Sequence, residues 1–451
     1  MDAMTPGPMS PANDAEALLL EKAREGERAD VLHLDDKNVR ATFLRDLCVR
    51  PNVYGIHAKG ARLKGATISG QLDFQGAILP LRLGLFSCAL EAELLLRDAE
   101  IRSFYFNDSS APGLRADRLR VIGSLFLRRS TINGETRLMG AEITGDLSCS
   151  GANFDNPKGK SFNAQRMTVG RRLFLRNMND INGRFDLNHA HVGDFIDDGT
   201  GWPPEGKLHI NGFVYDNLGY NKGSAADRIR WLGRMKKTWN DAPTFYPQPY
   251  EQLIKVYRQS GHEREARLMA IAKQEAYCDY LQRWAEANPK DKRYWSRTWL
   301  WIFGRLIGFG YEPWRILIPI LAVLFFSLWV FSHAYHNGAM RPSKERIYTQ
   351  QTYQMPQETC GKEDGWSYIS PDLFKGNGFC MPDDYPEFNQ LTYAIDTFFP
   401  IVDLHQETYW LPKAKTFWHG FYRFYLWLHI AMGWFLTTIA VVGFTGIIKK
   451  D

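Results

Sequence analysis

The chain has 451 residues, 45% of them hydrophobic and 23% charged, with a net charge of +5. That length admits two or three structural units, and so slight a charge, with no Lys/Arg block, argues against a nucleic-acid partner. The fourteen tryptophans gather towards the C-terminal half, where the longest uncharged runs also lie, as interfacial anchors of a membrane protein would.

Residues 1–54 read as an N-terminal tail and a helical cap. The apolar run near the start is short and flanked by Glu and Lys, which is not the make-up of a signal peptide. A helix is expected to open at Asn13 or Asp14, ahead of an Ala/Leu/Glu run. Residues 35–50 place Val39, Phe43, Leu44 and Leu47 on one helical face.

From 55 to 217 the sequence repeats itself. LDFQGAIL (72–79), LLLRDAEI (94–101), LFLRRSTI (125–132), TRLMGAEI (136–143), LSCSGANF (147–154) and FDLNHAHV (185–192) share apolar or small residues at positions 1, 3, 6 and 8. Neither a helical nor a simple strand period produces this spacing, whereas a chain turning a corner every five residues does. The expected fold is a right-handed β-solenoid of about eight coils, about 40 Å long at ~4.8 Å per coil. Leu138, Ile143, Leu147, Cys149, Leu173 and Leu187 should lie inside it. At GANFDN, and more loosely at GARLKGATISG, the chain resembles the pentapeptide-repeat proteins, whose units read A-(D/N)-L-x-x. NDSSAPGLRADRLRVIG and NMNDINGR depart from that pattern, so the resemblance implies a degenerate relative, and it implies a fold rather than an activity. His189, His191, Asp194, Asp197 and Asp198 crowd together and have the chemistry to bind a divalent metal. The repeat frame leaves both histidines at the surface as solvated positions, and no metal site is assigned.

Residues 218–290 read as a helical hairpin connector turning at Gly261, with Leu253, Val256 and Tyr257 on one face and Ala266, Met269 and Ala270 on the other. Tyr257, Gly261 and Ala266 resemble the pattern of a single tetratricopeptide-type unit, and one such unit forms no groove by itself. Residues 291–313 are apolar but interrupted by Arg297 and Arg305, which suits an interfacial helix.

Residues 314–335 form a first transmembrane helix that tolerates Pro319, and 424–448 form a second, closed by Lys449 and Lys450. The 336–390 loop between them is expected outside the cell, where Cys360 and Cys380 pair in a disulfide. With no export signal ahead of the rod, both termini are expected in the cytoplasm of a bacterium, with the protein in its inner membrane. The apolar part of 391–410 is too short to cross and suits a re-entrant or interfacial segment.

Span, outer loop, short apolar helix, polar stretch, span: this layout resembles that of the two-span pore-loop cation channels. PIVDLHQET stands where their Thr-Val-Gly-Tyr-Gly filter would be, so the resemblance is one of layout. Asp403, His405 and Glu407 alternate, and on an extended segment they share one face. They read as metal ligands, as a charged ring at a pore mouth, or as a polar surface at the headgroups. His429, an ionisable residue in the second span, is either a functional group or an interfacial one. Gly433, Ala440, Gly443 and Gly446 offer small surfaces for contact between copies.

The sequence thus describes a multidomain β + α membrane protein with membrane lipids and further copies of itself as partners, and a possible protein partner on the solenoid. Its function reads as a solenoid interaction or sensing domain joined to an oligomeric cation-pore module. A non-conducting scaffold or signalling protein is the alternative, and a membrane-associated oxidoreductase comes third. No catalytic residue, cofactor or nucleotide motif is assigned.

Overall fold

The computed structural model describes residues 7–179, 181–219, 223–239, 242–288, 301–302, 304–344, 366–369, 379–382, 385–412 and 417–445. The chain forms two compact units, Met1–Asp291 and Lys292–Asp451.

In the first unit, four short strands make one turn of a β-solenoid. One turn runs through Leu125–Phe126, Thr131–Ile132, Thr136–Arg137 and Glu142–Ile143 before Leu147–Ser148 opens the next. The pairing between turns is parallel. Along one side it runs Ala61, Leu83, Phe104, Leu125, Leu147, Leu173, Phe195, Leu218. Those seven steps make about seven turns, not eight, and a rod of about 34 Å at ~4.8 Å per rung. The five-residue side explains the repeat: one large residue per side points inward, and a corner follows. Leu138, Ile143, Leu147, Cys149, Leu173 and Leu187 are each at most 1% exposed. Each large apolar side chain so buried contributes about 1.5–3 kcal/mol.

The parallel ladder begins before the repeats are legible. Ala29–Asp30 pairs with Leu63 and Lys64, and Asn38–Arg40 pairs with 67–69. Val39 is therefore a buried strand residue registered with Ile68, not part of a helical face. The helix predicted there is shorter (α2, Ala41–Val49), and it does bury Phe43, Leu44 and Leu47. Helix α1 (Asp14–Glu25) opens where expected, with the Asn13 side chain accepting from the Glu16 amide. Glu16 is fully buried beneath it and accepts from both the backbone and the guanidinium of Arg40. The exposed start of the sheet is thereby tied to its helical cover.

The other end is closed by helices. After α3 (Pro51–Tyr54), which belongs to the N-terminal cap, the helices that follow the rod are α4 (Ala225–Gly233), α5 (Gln248–Gln259) and α6 (Glu263–Ala287). α5 and α6 form the expected hairpin, turning at Gly261, whose φ of 75° suits glycine. α5 also meets the backbone of the last rung at 212–215, beyond which no strand pairs among the described residues. Gln248 accepts from the Gly212 amide at 2.7 Å and donates to the Phe213 carbonyl at 3.0 Å, while Gln252 donates to the Tyr215 carbonyl at 2.6 Å. Two side-chain amides thus satisfy an edge that would otherwise seek another strand.

In the second unit, Leu317–His336 and Phe417–Phe444 are long helices. Over Pro313–His336 and Gly420–Phe444 they are long and apolar enough to cross a membrane. Met340–Pro342 pairs antiparallel with Trp410–Pro412 beyond the His336 end. Between the long helices packs a short one, Gln390–Phe398, touching both. Its Tyr393 and Ala394 join Phe331, Ala334, Met340 and Trp410 in one core, whereas Phe398 joins Ile307, Ile316, Ile320 and Leu436 in another. The short helix therefore runs from the His336 end of the first long helix towards its Pro313 end, and residues 399–409 bring the chain back. Residues 301–302 and 304–307 are helical, and the turn at Phe309 (φ 56°) and Gly310 follows. Residues 291–300 and 303 of the expected interfacial helix, and the Cys360–Cys380 pairing, lie outside the described residues.

Candidate functional site

Among the described residues, the returning segment 399–407 is largely exposed. The short helix that precedes it is capped by Asn389, whose side chain accepts from the amides of Leu391 and Thr392. Two residues before the helix ends, Asp396 is buried. A buried carboxylate is costly unless donors reach it. Here the donors are backbone amides of the return: Leu404 N–H to Oδ1 at 2.6 Å and Glu407 N–H to Oδ2 at 2.8 Å. Asp396 therefore folds 399–407 back onto the helix.

This corrects the expectation of an extended segment. The loop closure places His405 at φ 60°, and Gln406–Tyr409 forms a helical turn. Asp403, His405 and Glu407 consequently do not share a strand face. The Asp403 carboxylate accepts from the His405 amide at 2.9 Å and lies 2.8 Å from its Nδ1. Glu407 is exposed; partial burial, then the nearby carboxylates Asp396 and Asp403, push its carboxyl above the ordinary range. Asp396 is the residue that shapes the loop. No sequence period links it to positions 404 and 407, so only the fold discloses it.

Ile401 is 83% exposed, Val402 40% and Leu404 42%, and Asp403 and His405 are exposed beside them. Among the described residues no donor meets the carbonyl oxygens of Ile401, Val402, Asp403 or Leu404.

His429 lies against the short helix and is fully buried rather than interfacial. Its Nε2–H donates to the Ala394 carbonyl at 3.0 Å, and its Nδ1 lies 2.8 Å from the Ser327 hydroxyl, which donates to the Val323 carbonyl at 2.7 Å. Ser327 in turn accepts from the Tyr425 hydroxyl at 2.8 Å. The imidazole thus joins both long helices to the short one. Gly433 serves the same packing: a Cβ there would stand 1.9 Å from the Phe398 carbonyl oxygen. Gly443 faces Pro313 and Ile307, and Ala440 packs on the second core. These small residues, expected to meet another copy, are used within the chain; Gly446 lies outside the described residues.

The histidine–aspartate group on the rod disperses. His191 approaches Asp216, Asp194 accepts from Asn217, Asp198 from the Asn177 amide, and buried Asp197 pairs with Arg228 at 2.6 Å. His189 covers Gly212. Among the described residues no three His, Cys, Asp or Glu side chains are arranged to hold a metal ion.

Comparison with protein families, with curated proteins and with solved structures finds no match for this chain.

Proposed function

We propose that this is a bacterial inner-membrane protein in which the second unit assembles into a homo-oligomeric cation pore. The first unit is then a cytoplasmic, degenerate pentapeptide-type rod of right-handed coil that binds a partner or senses a signal. The observation that carries the reading is the uncovered return segment beside two membrane-length helices. In hydrocarbon every backbone polar group needs a partner, so irregular backbone is tolerated only against protein or lining water. The described residues of one chain supply neither cover nor a closed path, and several copies around an axis supply both. In that arrangement Asp403 and Glu407, with His405 between them, stand near the outer mouth, where gathered carboxylates attract cations and repel anions.

The test is single-channel recording of the purified full chain in planar bilayers. Asp403→Asn with Glu407→Gln should lower cation conductance or shift selectivity while the protein stays folded and inserted. A conducting oligomer whose cation preference ignores both substitutions refutes the assignment of the mouth. A monomer in detergent refutes the pore. The second reading, a non-conducting membrane-anchored scaffold, draws support from the way His429 and Gly433 lock the short helix within its own chain, with no second copy required.

A further inference from the structure

Along the solenoid surface, guanidinium groups are neutralised from one rung to the next. Arg115 pairs with Glu93 at 2.7 Å, Arg118 with Asp98 at 2.6 Å, Arg129 with Asp108 at 2.5 Å and Arg137 with Asp117 at 2.8 Å. Not every arginine on the rod is paired in this way. A groove of about 680 Å³ runs along one side of the rod, and two of the arginines lining it, Arg166 and Arg184, make no side-chain ion pair or hydrogen bond among the described residues.

The topology explains both failures. Arg166 occupies a left-handed corner, φ 56°, in a column of such corners at Gly76, Asp98, Arg118, Gly140, Arg166, His189 and Gly212. Its amide donates to the Asn188 carbonyl, and the Gly140 amide donates to the Gln165 carbonyl, so its neighbours in the column are Gly140 and His189. Arg118 finds Asp98 one corner away, whereas Arg166 finds a glycine and an imidazole. Arg184 is registered directly against Lys160 on the adjacent rung. Like charges in register destabilise a ladder. Of the groove's own acids, Asp117 is held by Arg137 and Asp186 by Lys160 at 3.3 Å, so neither is paired with Arg166 or Arg184. Beside them, burial, together with Arg184, Lys236 and Lys160 and against Asp186, holds the His209 imidazole down to about 4. It is therefore neutral at physiological pH.

We infer that this groove is a binding site for a small, multiply charged oxyanion of the condensed-phosphate class, held by Lys160, Arg166 and Arg184. Guanidinium groups suit such oxygens because each presents paired donors, and the bonds are charge-assisted. The volume is that of a small-molecule site. The lining includes no Phe, Tyr or Trp on which a base would stack, so the phosphates themselves are the recognised feature. The inference concerns the rod alone and does not depend on the pore.

The test is calorimetric titration of the full chain in detergent with inorganic tripolyphosphate at about physiological ionic strength, where surface charge is largely screened. Saturable binding at one site per chain is expected. Arg166→Gln with Arg184→Gln should weaken it about tenfold or more, as loss of two charge-assisted contacts requires. Arg129→Gln, which breaks a satisfied pair elsewhere, should leave affinity unchanged. Without tripolyphosphate, the double variant should melt at or above the parent temperature, because it removes the Lys160–Arg184 repulsion. The inference is overturned if the parent does not bind, if the double variant binds equally well, if its melting temperature falls, or if an oligoglutamate peptide binds more tightly than tripolyphosphate.

Discussion

Asp396→Asn tests whether one buried carboxylate shapes the return segment. In the parent, two backbone amides converge on its two oxygens at 2.6 and 2.8 Å. Hydrogen bonds to a charged group contribute about 1.5–3 kcal/mol each. Asparagine keeps the shape but has a single acceptor oxygen, and its NH₂ then faces the remaining amide donor. One bond is lost and the other loses its charge, so the closed loop should be weakened by about 2–3 kcal/mol. At 1.4 kcal/mol per tenfold, amide exchange by local opening should accelerate about 30- to 140-fold. The assay is hydrogen–deuterium exchange of the full chain in detergent, followed by mass spectrometry of peptides covering 399–409. Asp403→Asn is the internal comparison, because that carboxylate is exposed and bonds only within its own turn; it should change exchange much less. Unchanged exchange at Leu404 and Glu407 in Asp396→Asn would refute the latch and with it the reason given for the loop's shape.

Three further outcomes follow from the packing and the charge pattern. Gly433→Ala sets a methyl group 1.9 Å from the Phe398 carbonyl oxygen, so the second unit should lose about 1–3 kcal/mol or more and melt at lower temperature by tryptophan fluorescence; an unchanged melting temperature contradicts the close approach. Gln252→Ala leaves the Tyr215 carbonyl of the last rung without its donor, which should cost the rod about 1–3 kcal/mol, read as a lower urea midpoint. The Arg118 and Arg129 guanidinium groups hold the carboxyls of Asp98 and Asp108 below the ordinary range. Their contribution is therefore present above about pH 4 and fades as pH falls through the lower folded value. Asp98→Asn with Asp108→Asn should destabilise slightly at pH 7 and converge with the parent in acid, with salt shrinking the gap because both pairs are exposed; a gap that widens in acid would reverse the sign.

Local pattern was enough for the elements whose cause is local. The five-residue step forces a corner after each inward residue, so the rod and its interior at Leu138, Cys149 and Leu187 are legible from spacing alone. The same holds for the cap at Asn13, the turn at Gly261 and the two apolar lengths that become long helices. What the spacing does not carry is any contact between distant positions. Val39 looks helical from its neighbours and becomes a strand because Ile68, far along the chain, offers a paired edge. Asp403, His405 and Glu407 alternate in sequence, but Asp396 bends the backbone between them, and alternation has meaning only on an extended chain. Gly433 and His429 are unremarkable in an apolar run until the short helix lies against them. Arg166 and Arg184 resemble every other surface arginine until the rungs stack and leave them facing Gly140, His189 and Lys160 in place of acids. Periodicity sets which way a side chain points; only the closed tertiary structure decides what it meets there, because the partners are brought in from other turns and other helices.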